Sequence, residues 1–152
     1  MSYLDSRIIA TDVAADTSDE IITYGADILY RNGYVQEGYK EAIRKREMAY
    51  PTGIEGEKIS VAIPHATCEL VKKPAIAVLI PEKPVEFRKM GSSDEKVKCG
   101  IVFMLVIKNP DEQLDLLKKV MLVIQNGELL EQIRNSKDSQ EIIQYLQELD
   151  EP

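Results

Sequence analysis

The sequence is poor in the residues that most often build metal and redox sites. It has one histidine, His65, and two cysteines, Cys68 and Cys99, in 152 residues. A structural zinc site is normally built from four Cys or His ligands, so the pattern His65-x-x-Cys68 is too sparse to hold one. Cations are also in deficit: 19 Lys and Arg against 26 Asp and Glu, a net charge of −7. A negative surface repels phosphate backbones and anionic headgroups, which excludes nucleic acid and membrane surfaces as bulk partners. A local basic patch for a small anion or an acidic protein remains possible. Long apolar runs are missing too. The longest, "CGIVFMLVI" (Cys99 to Ile107), is less than half of what a membrane-spanning helix needs. Met1 to Ala15 is interrupted by Asp5, Arg7 and Asp12 and has no apolar core of the kind a secretory signal carries. These absences lead us to expect a cytoplasmic protein with reduced thiols and no membrane insertion. No repeat, low-complexity tract or linker divides the chain, and its length suits one domain, residues 1–152.

What is present is a regular alternation of helical and strand patterns. "TSDE" (Thr17 to Glu20) is a capping box. Ile21, Ile22, Gly25, Ile28 and Leu29 follow at helical spacing, and Asn32-Gly33 is a stop. A second helix is expected from about Glu37 to Ala49, with Tyr39, Ala42, Ile43 and Arg46 on neighbouring turns. "YPTGIEGE" reads as a loop. Strands are expected at Ile59–Ile63, Ala75–Ile80 and Cys99–Ile107. The last two are apolar on successive residues, which suits strands covered on both faces. Asn109 as N-cap with Pro110 at N1 opens a helix whose expected buried stripe is Leu114, Leu117, Met121 and Ile124. The tail from Glu128 to Leu149 reads as two short helices broken near Ser136. The class is α/β, one sheet flanked by helices on both sides.

Three positions invite chemistry. Pro64 pushes Ile63 into extended backbone and ends strand pairing, so His65 is expected where a strand leaves the sheet. Ligands bind at such strand ends in open α/β sheets, and imidazole carries a nucleophilic nitrogen of near-neutral pKa. From position alone, an incidental half-buried histidine is equally consistent. Arg44 and Lys45 suit the C-terminal end of a helix, facing its dipole. Arg46 lies on the face of Ala42 and Ile43 and should point inward, where a guanidinium needs an anionic partner. Thr52-Gly53 offers a hydroxyl and pliant backbone beside it. Gln113, in the first turn after the longest strand, is placed either to meet an anion at a helix N-terminus or to be simply solvated. There is no glycine-rich phosphate loop, Walker motif or dinucleotide fingerprint. The chain therefore lacks the motifs of an ATP-dependent kinase, and a phosphoryl group is expected to arrive from elsewhere.

"REMAYPTGI", "VAIPHA" and "NPDEQLDLLKKV", in that order, resemble the enzyme IIA domains of the sugar phosphotransferase system (PTS), in the mannitol–fructose superfamily. The likeness spans essentially the whole chain and is nearest to the galactitol type. It implies a single mixed, mainly parallel sheet flanked by helices on both faces, and a phosphoryl relay without cofactor or metal. Phospho-HPr would donate to the histidine of "IPH", here His65. The cognate IIB cysteine would accept, and the membrane component IIC would move the sugar. The resemblance places Arg46 near the phosphoryl group and puts Gln113 where family members carry a second active-site histidine. Ala66 stands where many members have glycine. Gln113 can donate a hydrogen bond but cannot carry charge, so compensation would fall on Arg46, with Gln113 and Thr52 as weaker donors. The neutral ring would attack through Nε2, its other nitrogen held by an acceptor that the sequence does not name. A regulatory module using the same histidine to control protein binding is the alternative.

Overall fold

A computed structural model of the chain describes residues 3–150 apart from Thr67 and Ser93. In chain order the elements are strand β1 (Ile9–Val13), helices α1 (Ser18–Arg31) and α2 (Tyr39–Ala49), and strands β2 (Gly53–Ile54), β3 (Ser60–Ala62), β4 (Ala75–Pro81), β5 (Val85–Arg88) and β6 (Lys96–Val106). Helices α3 (Pro110–Ile124), α4 (Gly127–Asn135) and α5 (Ser139–Tyr145) close the order.

The helix ends follow their local chemistry. Thr17 accepts from the Glu20 amide at 3.2 Å to open α1. The positive φ of Gly33 ends the chain reversal after it. α2 starts at Tyr39, two residues after the expected Glu37, because Gly38 takes the left-handed conformation at the N-cap. Asn109 and Asp138 cap α3 and α5 with their side-chain oxygens, and the tail breaks at Ser136 as expected.

The sheet has the order β1-β4-β6-β3-β2, with β5 also paired to β6. It is mixed, with parallel pairing confined to β1 with β4 and β3 with β6; β4 and β5 both run antiparallel to β6, as does β2 to β3. The mainly parallel sheet implied by the resemblance is thus corrected in proportion. β4 and β5 act as one interrupted strand along β6, and residues 89–95 are too few for a helical crossover, so the chain must return antiparallel. Three strands escape the sequence patterns. β1 is half exposed, β2 has two residues inside the expected loop, and β5 has four between Pro84 and a hairpin.

Both faces are covered. Ala77, Leu79, Val102 and Met104 join the α1–α2 core with Ile22, Leu29 and Ile43. Ile76, Val78, Ile101 and Phe103 join the α3–α5 core with Leu116, Ile133 and Ile142. Alternate residues of β4 and β6 enter opposite cores, which is why every β4 residue is buried and β6 is apolar from Cys99 onward. The face of α3 differs from expectation: Leu116, Val120, Val123 and Ile124 are buried, while Leu114 is 61% exposed. Leu117 and Met121 lie only at the margin of the core. The helix is apolar on two adjacent faces, so periodicity alone admits two orientations. Among the described residues no helix is long and apolar enough to cross a membrane.

Candidate functional site

The site is assembled where β3 leaves the sheet. Pro64 halts ladder pairing, and its carbonyl accepts from the Leu105 amide at 3.0 Å. His65 then forms a single parallel bridge to Leu105, at the end of β6. The histidine is therefore anchored to the central strand by its own backbone. Its ring is half-buried. Nδ1 lies 2.8 Å from the carbonyl oxygen of Ile63. A carbonyl can only accept, so Nδ1 carries the proton and Nε2 keeps its lone pair. Burial holds the imidazole below its usual pKa of 6.5, the Ile63 hydrogen bond opposes that, and the charge of Arg46 adds to the lowering. Together these favour a neutral ring with one free basic nitrogen.

Arg46, in the last turn of α2, is close enough for its charge to act on His65. Its Nε is buried and has no hydrogen-bond partner among the described residues. The guanidinium carbon lies 5.2 Å from the centroid of the Tyr50 ring, a cation–π geometry that positions the cation without neutralising it. Arg44, by contrast, is spent on Asp19 at 2.8 Å and on Glu41.

Thr52 is not available as the sequence suggested. It is 3% exposed; its hydroxyl donates to Glu47 Oε1 at 2.7 Å and its amide to Glu47 Oε2 at 2.8 Å. Gln113 is half-buried in the first turn of α3, its amide bonded to the Asn109 carbonyl at 3.2 Å. That turn follows directly from the β6 end that carries the His65 bridge. The side chain of Cys68 lies outside the described residues, so the His-x-x-Cys pattern has no geometry. Among the described residues no group of three or more His, Cys, Asp or Glu side chains converges on one point. Cys99 is buried, and its thiol is pushed up to about 12, chiefly by burial; it offers no thiolate.

Two participants were missed in the sequence. One is the Ile63 carbonyl, a backbone group with no side-chain signal. The other is Glu47, whose charge in a helix pattern suggests a solvated face, yet which is buried. Burial pushes its carboxyl up, against the hydrogen bonds of Thr52 and the charge of Arg88.

The comparisons with known proteins place the family and the fold. Residues 2–149 match the model of a family described as "Phosphoenolpyruvate-dependent sugar phosphotransferase system, EIIA 2". The galactitol-specific EIIA component of Escherichia coli (strain K12) is 30% identical, covering 80% of this chain and 80% of that protein. The mannitol-specific enzyme IIA component of Halalkalibacterium halodurans is 25% identical over 99% of this chain and 98% of its own length. Among solved structures, enzyme IIAMTL of E. coli in complex with phosphorylated enzyme IIBMTL superposes with a TM-score of 0.78 at 22% identity, over 97% of this chain and 99% of that one. At that identity the likeness concerns the fold.

Proposed function

Because the chain belongs to the EIIA 2 family of the phosphoenolpyruvate-dependent sugar phosphotransferase system, we propose that it carries phosphoryl groups on His65. Nε2 attacks the phosphorus of phospho-HPr. The N–P bond of the donor breaks, a new N–P bond forms at His65, and the proton stays on Nδ1, hydrogen-bonded to the Ile63 carbonyl. In the second half, the thiolate of a cognate IIB cysteine attacks the phosphorus and His65 leaves as the neutral ring. Phosphoryl transfer of this kind asks mainly for position and charge stabilisation. Arg46 meets the equatorial oxygens, with Gln113 as a neutral donor at the α3 start. Thr52 is reassigned from donor to support. No metal or cofactor enters the relay.

The observation that carries the reading is the 2.8 Å contact between Nδ1 and the Ile63 oxygen, which leaves Nε2 as the only nucleophilic nitrogen of the ring. We further propose a cytoplasmic role in galactitol-type uptake, with IIB and IIC as downstream partners, carried out by the chain as one domain. The test is labelling from phosphoenolpyruvate with enzyme I and HPr. One acid-labile phosphoryl group per chain is expected, with none on His65→Ala; equal labelling of that variant would end the assignment. Transfer onward to a IIB cysteine distinguishes transport from a regulatory role.

A further inference from the structure

Glu47 carries a buried carboxylate, 9% exposed, that the relay does not use directly. Removing such a group from water costs several kcal/mol unless its oxygens are well satisfied. Both are satisfied, and by the same residue. Oε1 accepts from the Thr52 hydroxyl at 2.7 Å and Oε2 from the Thr52 amide at 2.8 Å. The carbonyl of Thr52 accepts from the Ile63 amide at 3.3 Å. The Ile63 carbonyl then accepts from His65 Nδ1 at 2.8 Å. An unbroken series of hydrogen bonds thus runs from the end of α2, across the start of β2, to the ring at the end of β3.

The Ile63–Pro64 segment is held from two sides. Leu105 bonds the Pro64 carbonyl, and Thr52 bonds the Ile63 amide. The first hold belongs to the central strand and depends on no side chain. The second depends on where Thr52 sits: the neighbouring Gly53 is paired to Ala62, and Glu47 takes both donors of Thr52 itself. Arg88 does not compete for the carboxylate: its guanidinium donates to the backbone oxygens of Met48 and Glu47, which ties the same turn to β5.

We propose that Glu47 is a positioning residue for His65: by clamping Thr52 it helps hold the backbone of Ile63, whose carbonyl selects the Nδ1–H tautomer and leaves Nε2 free. The inference rests on reading His65 as the phosphoryl acceptor. It extends that reading to a residue that touches neither the ring nor the phosphoryl group. Supporting groups one shell out from a reactive histidine commonly change activity by about 10- to 100-fold when removed.

His65 is the only histidine in the chain, so its ring nitrogens are the only imidazole signals in a 15N-histidine spectrum. The experiment records that spectrum for the unphosphorylated protein, beside the rate of labelling from phospho-HPr. For Glu47→Ala we expect loss of the Nδ1–H tautomer in favour of Nε2–H, with labelling about tenfold slower. Glu47→Gln should restore both, since its amide oxygen accepts from the Thr52 N–H while its NH2 group donates to the Thr52 oxygen. A folded Glu47→Ala with the parental tautomer, or a Glu47→Gln that behaves like Glu47→Ala, overturns the proposal. If Glu47→Ala does not fold, Thr52→Val, which removes one of the two bonds, must shift the tautomer in the same direction, and a parental spectrum there overturns it equally. Because the spectrum needs no donor protein, failure of the parent to accept phosphoryl groups would count against His65 as acceptor, not against Glu47 as its support.

Discussion

The Nδ1 atom of His65 lies 2.8 Å from the backbone oxygen of Ile63, two residues earlier in the chain. So short a loop back is possible because Pro64 stands between them and holds the segment out of the helical region. The acceptor that places the proton is a backbone carbonyl, and the opposite nitrogen is left for chemistry.

The first expectation concerns pH. Burial, with Arg46 adding to it, holds the folded-state pKa of His65 below 6.5. The 15N titration midpoint of the ring should fall below that value, and phosphoryl acceptance should persist on the acid side of it. In the window between the folded pKa and 6.5 the unfolded chain binds more protons than the folded one. The contribution of His65 to stability is therefore whole above 6.5 and is lost as pH falls through that window. A midpoint at or above 6.5 would contradict the environment described.

Arg46 is a cation whose field reaches the ring while its Nε lacks a partner among the described residues. Arg46→Ala should slow labelling by about 10- to 100-fold, the size of one or two charge-assisted hydrogen bonds. Arg46→Lys should recover only part of this, because an ammonium cannot grip two oxygens as a planar fork. It should also raise the ring pKa less than Arg46→Ala does. Single-turnover labelling and the same 15N titration measure both effects.

In the proposed relay Gln113 would contribute a dipole where a cation would do more. Gln113→Ala should cost less than about threefold, well under one charged hydrogen bond. Gln113→His should raise the equilibrium fraction of phosphorylated protein, and more so at pH 6 than at pH 8, as the new imidazole charges. Equilibrium labelling at the two pH values decides this; a phosphorylated fraction that does not change with pH would remove Gln113 from the phosphate environment.

Gly53 tests the backbone under the site. A Cβ there would lie 2.8 Å from the Arg88 carbonyl oxygen, which belongs to a strand paired along β6 and cannot easily retreat. Gly53→Ala should destabilise by about 1–3 kcal/mol, the usual cost of overpacking. At Gly25 the nearest atoms are the ends of the Met104 and Leu79 side chains, and methionine adapts, so Gly25→Ala should cost less. Urea denaturation midpoints give the order.

Much of the architecture was legible in the chain itself. α1 and α3 open on cap residues that bond their own first turn, and β4 and the Cys99–Val106 part of β6 announce burial on both faces by having no polar alternation. β2 and β5 were not legible, because two and four residues are too few to display a period and exist only as partners of longer strands. The orientation of α3 was equally hidden. Its two apolar faces are equivalent until β4 and β6 present a surface to bury, and Leu114 then falls outside.

For the site, local chemistry in the sequence determined that His65 follows a strand end broken by Pro64, that Arg46 shares a face with Ile43, and that Gln113 stands in a first helical turn. Those are short-range facts, set by proline sterics and helical period. Only the tertiary structure decided which nitrogen of the ring is free, where the Thr52 hydroxyl points and why a glutamate is buried beside it. Each depends on how the chain turns after α2 and β3 are packed, through a bond to a backbone carbonyl or to a carboxylate five residues back that the fold buries, and neither leaves a mark in the order of side chains.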